Sequence, residues 1–207
     1  MMEKHNGFTL IETMVAMFML SITMTAFYSV YRMQTRSLKG QENRLEAQQT
    51  ARSALDFMVR ELRNARYNPT DENNGDSCGD SAPGKPGIIL ADDDILHFSY
   101  DANGDGDCAD VGENVKYSFA GSDVTRTADG NAEALTDGNV DTNGGLTLTY
   151  FDQNDNALTS FPLSAADRDS IKRVSITVKI VSKNMADKFG GALTAVMTTN
   201  VDLRNPA

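Results

Sequence analysis

The sequence predicts an α+β protein in which one long N-terminal helix packs against an antiparallel β-sheet domain. Three observations carry that expectation. From Phe8 to Tyr31 the residues are mostly apolar and Glu12 is the only charge. From Arg32 to Arg66 the chain turns polar but keeps an apolar position every three or four residues. After Pro69 it breaks into short strand-like runs divided by Asp, Asn, Gly and Ser. The organisation follows: a polar leader over 1–7, a membrane-spanning helix over 8–31, an amphipathic continuation over 32–68, and an acidic β-rich domain over 69–207.

The apolar run comes first. At ~1.5 Å per residue, Phe8–Tyr31 is long enough to cross a ~30 Å hydrocarbon core as one helix. The leader before it is short, ends in Gly7, and holds Lys4 and His5. Gly7-Phe8-Thr9-Leu10-Ile11-Glu12 set directly against an unbroken apolar run resembles the class III signal of type IV prepilins and pseudopilins. The resemblance implies cleavage by a prepilin peptidase between Gly7 and Phe8, and methylation of the new amino group on Phe8. It also implies that Glu12, fifth in the mature chain, meets the Phe8 amine of a neighbouring subunit during filament assembly. Many pilins kink this helix with a proline; here the first proline is Pro69, so a straighter helix is expected.

Glu12 has a local reading as well. Thr9-x-x-Glu12 is a capping box, in which two side chains satisfy free N–H groups at a helix start. An ionisable group at the membrane boundary is also a functional candidate, and the two roles are compatible. Two rivals address the whole segment. An ordinary signal peptide would have a ~7–15-residue apolar core and then a small-residue cleavage site; this run is longer and no such site follows. The positive-inside rule points the other way, because Lys4 precedes the span whereas Arg32, Arg36, Lys39 and Arg44 follow it. The prepilin motif is the more specific signal, and it places the C-terminal domain outside the inner membrane.

The continuation is helical by period. Ala51, Leu55, Met58, Leu62 and Ala65 form one stripe, the face expected to lie on a sheet. Arg60, Arg63 and Arg66 suit a helix C-terminus, and Asn68-Pro69 is expected to end it. From Phe8 to about Arg66 such a helix would measure roughly 88 Å at ~1.5 Å per residue.

Charge divides unevenly along the chain. Up to Pro69 there are nine Lys/Arg against six Asp/Glu, and beyond it ten against twenty-three, within a total of −10. An acidic outer domain excludes nucleic-acid binding by a broad basic surface, and it suits a solvated exterior and cations.

Beyond Pro69, Thr70–Pro86 reads as loop. Strands are expected at Ile88–Ala91, Ile95–Tyr100, Val115–Phe119, Val124–Thr127, Leu146–Phe151, Arg173–Ser182 and Leu193–Leu203. Val174, Ile176, Val178 and Ile180 mark one face by their alternation. Ala120-Gly121-Ser122 suits a hairpin turn, Asn131–Leu135 a short helical turn, and Ser164-x-x-Asp167 a capping box. Consecutive strands without long helices between them favour antiparallel pairing.

The C-terminal half extends the resemblance. Leu148-Thr149-Tyr150-Phe151-Asp152, Leu163-Ser164-Ala165-Ala166-Asp167-Arg168, Ile171-Lys172-Arg173-Val174-Ser175-Ile176 and the ending Thr198–Asn205 are similar to PilW-type minor pilins. These share the pilin fold with the J-type minor pseudopilin of type II secretion. The resemblance implies a minor pilin of a type IV pilus that helps prime filament assembly, at the tip. Its partners would be other minor pilins, the major pilin and the inner-membrane assembly platform. It would lie in the bacterial inner membrane first and in the fibre at the cell surface afterwards. Three alternatives stand beside it: a type II secretion pseudopilin of the J type, a calcium-dependent tip adhesin or uptake factor, and a membrane-anchored enzyme.

Asp101-Ala102-Asn103-Gly104-Asp105-Gly106-Asp107 matches the opening of a calcium loop, in which oxygen ligands at alternate positions converge as glycine turns the backbone. The twelfth position holds Gly112 instead of glutamate, with Glu113 one residue late and Asp110 nearby. Asp101, Asn103, Asp105, Asp107, Asp110 and Glu113 are therefore the candidate ligands, in a hairpin between strands. A solvated Asp/Asn/Gly turn is the plain alternative. Asp137–Asn143 and Asp152–Asp155 share the composition without the glycine in place, and read as loops. Cys78 and Cys108 are too far apart for a C-x-x-C motif. In an exported domain the pair favours a disulfide tying Thr70–Pro86 to the calcium-loop candidate; in a cytoplasmic domain they would be free thiols. His97 alternates within a strand, where a structural role is expected. No nucleophile elbow, phosphate loop or histidine pair is present, so no enzyme activity is expected.

Overall fold

The computed structural model describes residues 7–69, 87–108, 110–182 and 194–205. The expected loop over Thr70–Pro86, Leu193, and the leader before Gly7 lie outside them. Two compact units divide the chain, one up to Glu42 and one from Asn43. The helix α1 (Leu10–Leu62) is unbroken over 53 residues. In the first unit no residue of it is buried, and apolar side chains face outward all round: Met17, Phe18, Leu20 and Ile22 are all exposed.

From Ala47 onward the same helix has an inside. The stripe expected from the three-and-four spacing is the buried one: Ala51, Leu55, Met58, Leu62 and Ala65, joined by Ala47 and Ala54. Met58 is completely enclosed. Leu55, Met58 and Leu62, the large side chains of the stripe, supply most of the apolar area it removes from water.

The helix stops before Asn68-Pro69. After Leu62 the chain tightens into i→i+3 turns, Asn64 N–H donating to Glu61 C=O at 2.9 Å and Ala65 to Leu62 at 3.1 Å. Arg66 then takes the left-handed value φ 64°. Its N–H donates to Ser99 C=O at 3.1 Å, and its buried guanidinium donates to the carbonyls of Ile171 and Arg168. Arg66 is thus a long-range clamp, in contrast to the helix-terminal charge expected of it.

Nine strands and one short helix follow among the described residues. β1 (Ile88–Ala91), β2 (Ile95–Ser99), β3 (Asn114–Ala120), β4 (Asp123–Ala128) and β5 (Asn131–Ala134) form an antiparallel meander. β6 (Leu146–Phe151), β7 (Ala157–Leu158), β8 (Arg173–Val181) and β9 (Thr194–Asp202) form a second antiparallel sheet in the order β7-β6-β8-β9. The expected single sheet is therefore two. The short helix α2 (Ala165–Ser170) opens as its capping box predicts, with the Asp167 N–H donating to the Ser164 hydroxyl at 3.2 Å.

The alternation in Arg173–Val181 buries Val174, Ile176, Val178 and Ile180 on one face. Gly121, at φ 68°, turns the β3–β4 hairpin as expected. Asn131–Leu135 does not form a helical turn. Asp129 and Gly130 both take positive φ, 52° and 76°, making the mirror-image turn that matches strand twist, and Asn131–Ala134 returns as β5. Gly145 is a close approach: a Cβ there would sit 2.2 Å from the Asp141 carbonyl oxygen.

One polar group ties the helix to the first sheet. Glu61 on α1 accepts from Arg126 of β4 at 2.8 and 3.0 Å and from the Tyr117 hydroxyl of β3. Arg126 also stacks over Phe57, 5.7 Å from the ring centre. Burial first, and then the neighbouring Glu61 carboxylate, push the Tyr117 phenol far above its ordinary value. His97 lies within β2 and pairs with the Asn114 side chain of β3, the structural place expected of it.

Candidate functional site

Two places gather the residues the sequence singles out. The first is the start of α1. Thr9 and Glu12 form a reciprocal cap: the Thr9 N–H and hydroxyl each donate to Glu12 Oε2 at 3.3 Å, and the Glu12 N–H donates to Thr9 Oγ1 at 3.4 Å. This satisfies donors that the first turn would otherwise leave open. Glu12 Oε1 has no partner among the described residues. Gly7 and Phe8 lie just before the helix, and Phe8 is 85% exposed. The segment that follows is long and apolar enough to cross a membrane. Glu12 is its only charge as far as Tyr31.

The second place is the loop between β2 and β3. Gly104, Gly106 and Gly112 all take φ between 85° and 91°, so the backbone folds back on itself where side-chain-bearing residues would be strained. Six residues named from sequence divide into two groups there. Asp101 and Glu113 are buried and brace the backbone. Asp101 accepts from the N–H groups of Gly104 at 2.6 Å and Gly106 at 2.9 Å. Glu113 accepts from Ala102 at 2.8 Å and Asp110 at 3.3 Å. Asp105, Asp107 and Asp110 instead converge, with one carboxylate oxygen of each within 4.8 Å of the others.

Asn103 bridges this second group. Its Nδ2 donates to Asp105 Oδ2 at 2.9 Å and to Asp110 Oδ2 at 2.5 Å. The Asn103 amide and then the Asp107 N–H hold the Asp105 carboxyl below its ordinary range. Calcium, a hard cation, takes oxygen ligands of this kind; here the Asn103 Nδ2 donor, not an oxygen, stands between Asp105 and Asp110. Asp129 was not expected here; its Oδ2 accepts from Gly112 N–H at 2.9 Å and ties the loop to the β4–β5 turn. Its sequence signal is the Asp-Gly pair of that turn. Cys108 is buried within the loop, no described cysteine is free, and Cys78 lies outside the described residues. The regions around Asp141 and Asp152 are turns, each aspartate accepting from an N–H two residues on.

Comparison with known families gives one result for the first place. Residues 2–28 match the family described as the prokaryotic N-terminal methylation motif. The chain carries a prepilin signal. That signal marks a type IV pilin-like or pseudopilin-like prepilin, processed by a prepilin peptidase and assembled with pilus components. Together with the apolar helix it accords with anchoring in a membrane before assembly. It points to a structural protein. The match ends within the apolar half of α1, and no curated protein matches the chain.

Proposed function

We propose that this prepilin is a minor pilin of a type IV pilus, incorporated through α1 and helping to prime filament assembly at the tip. The observation that carries the reading is the inner half of α1: a prepilin signal joined to a helix exposed on every side and apolar but for Glu12. Such a surface needs lipid or other helices around it. When the subunit leaves the membrane, neighbouring subunits' helices replace lipid. Glu12 Oε1 then takes the methylated Phe8 amine of a neighbour, which sets axial register because an uncompensated carboxylate in that apolar setting is disfavoured. The likeness of the C-terminal half to PilW-type minor pilins favours a pilus over a secretion system.

Within that reading the β2–β3 loop binds calcium through Asp105, Asp107 and Asp110, with Asn103 beside them and with Asp101 and Glu113 holding the loop's shape. Cys78 and Cys108 form a disulfide in the exported domain, joining that loop to the segment before β1. Other minor pilins, the major pilin and the inner-membrane platform are the partners, and the mature protein resides in the fibre at the cell surface.

The first test is the N-terminal residue and mass of the membrane-extracted protein, produced with and without a prepilin peptidase. A chain beginning at methylated Phe8 only when the peptidase is present supports the reading. A chain that keeps Met1 in both cases sinks it. Deletion of the gene is expected to abolish piliation, whereas a pure adhesin would leave normal pili that fail to attach. Calcium binding is read by titration of the full chain, with loss of binding in Asp105→Asn/Asp110→Asn; no heat of binding in the wild type removes the metal.

A further inference from the structure

The apolar run of α1 passes into a stretch that is charged with one sign only. Between Glu12 and Glu42 the chain holds three cations, Arg32, Arg36 and Lys39, and no acid. All three are exposed. With Tyr28 they step by four, four and three, which sets them on one face of the helix. The Arg32 guanidinium lies over the Tyr28 ring, 5.8 Å from its centre. Phe27 and Tyr31 are exposed at the same level.

The depth of these groups follows from the helix rise. At ~1.5 Å per residue Arg32 stands about 30 Å beyond Glu12, one hydrocarbon thickness. Arg36 and Lys39 stand a further ~6 and ~10 Å on, where a headgroup layer is roughly 5–7 Å deep. Long side chains on a helix lean toward its N-terminus, so these three are carried back toward the hydrocarbon edge. Tyrosines at that level act as boundary anchors.

We infer that Arg32, Arg36 and Lys39 bind the headgroups of anionic phospholipid and fix the depth of α1 in the bilayer before assembly. This rests on the reading that the inner half of α1 spans a membrane. Charge and depth together select the occupant, because a lipid phosphate is the anion within reach of all three at that level. Guanidinium groups hold phosphate oxygens through paired N–H donors. Two other basic places supply the control. A cleft of about 450 Å³ gathers Arg60, Arg63 and Arg204 with Asp56 on its wall, and one of about 310 Å³ sets Arg44 and Arg52 beside Thr194–Met197. Both belong to the unit from Asn43 onward.

The test uses the full-length chain in phosphatidylcholine bilayers with a trace of spin-labelled phosphatidylglycerol or spin-labelled phosphatidylcholine. Electron spin resonance reads the fraction of each lipid held at the protein. The wild type is expected to favour the anionic lipid about fivefold or more at about 0.01 M salt, the advantage of even one cation near a membrane surface. Most of that preference is expected to vanish at about 1 M salt. Arg32→Gln/Arg36→Gln/Lys39→Gln, which keeps good helix formers, is expected to hold both lipids alike. Arg60→Gln/Arg63→Gln is expected to match the wild type. The leader is the same in every protein, so any part played by Lys4 cancels. Equal retention of the two lipids by the wild type overturns the assignment. So does an undiminished preference in the triple variant, or a lost one in the outer-unit variant. Soluble glycerol phosphate, at ionic strength matched with sodium chloride, is expected to displace no more lipid than chloride does; greater displacement overturns lipid as the occupant. A wild-type chain that enters neither bilayer removes the membrane-spanning reading itself, and is told apart from each of these results.

Discussion

The two halves of α1 are built to opposite rules. As far as Tyr31 the helix is apolar on every side but for Glu12, and up to Glu42 it buries nothing. After Asn43 it is more polar in composition, yet Ala47, Ala51, Leu55, Met58 and Leu62 are among the best-enclosed residues of the protein. The difference shows that apolar content and burial are separate signals. Content without period calls for a surrounding lipid or helix bundle; period with less content suffices when the partner belongs to the same chain. The two lone acids of the apolar faces follow the same division. Among the described residues Glu12 bonds only within its own turn, while Glu61 reaches the sheet through Arg126 and Tyr117.

The largest expected effect separates two methionines. Met58→Ala should lower the stability of the outer unit by about 2–5 kcal/mol, because a large side chain leaves a closed core. Met17→Ala should move the same denaturation midpoint by less than about 0.5 kcal/mol. A comparable loss from Met17→Ala would break the division. Next come the acids. Glu61→Ala should cost about 1–3 kcal/mol in the same experiment, since Arg126 and the Tyr117 hydroxyl lose their acceptor. Glu12→Ala should leave that transition unmoved and instead stop incorporation into filaments; piliation that continues as before would end the pairing role of Glu12.

The smallest effect lies outside the helix and concerns carboxylates that, like Glu12, serve their own turns. Asp105 is held below its ordinary value of 3.8 by the Asn103 amide and the Asp107 N–H. Asp152 is held below it by the Asn156 side chain and N–H. A depressed folded-state pKa stabilises above the ordinary value and ceases to do so as pH falls through the folded one. Loosening of both turns is therefore expected only below pH 3.8. Carboxyl carbon shifts followed by NMR should give midpoints under that value. A midpoint at or above it would show that neither hydrogen bond holds in solution.

Much of the fold was legible because its signals are local. The stripe from Ala51 to Ala65 and the alternation from Val174 to Ile180 each fix a face by period alone. Ser164 and Asp167 announce α2, and Thr9 and Glu12 announce α1, through spacing and side-chain chemistry. What escaped is long-range or weakly coded. Asn131-Ala132-Glu133-Ala134 favours helix by propensity and lacks a β-branched residue; it pairs as β5 because Asp129-Gly130 turns the chain. β7 is two residues long and carries no pattern. The division into two sheets depends on which strands meet across the core. Arg66 suited a helix end by charge, yet its partners lie more than a hundred residues on.

The candidate site was legible by type and only partly by arrangement. All six residues proposed around the β2–β3 loop are near one another, but sequence could not divide braces from convergent carboxylates. Burial makes that division, with Asp101 and Glu113 enclosed and Asp105 and Asp110 in water. The arginine clefts left even less trace. Arg60 and Arg63 are neighbours on any helix, whereas Arg204 joins them only once β9 has been laid beside α1.

The last turns of α1 also have a mechanical consequence. Glu61 is fastened to Arg126 and Tyr117, the Ala65 carbonyl accepts from Asn205 at 3.0 Å, and Arg66 is fastened to the carbonyls of Arg168 and Ile171. Three residues, Glu61, Ala65 and Arg66, thus connect the end of the helix to the first sheet, to α2 and the approach to β8, and to the segment after β9. Tension drawn along the helix is shared among these attachments in parallel. Slippage of the helix along its own axis therefore has to shear them together, while its inner half contributes no resistance of its own.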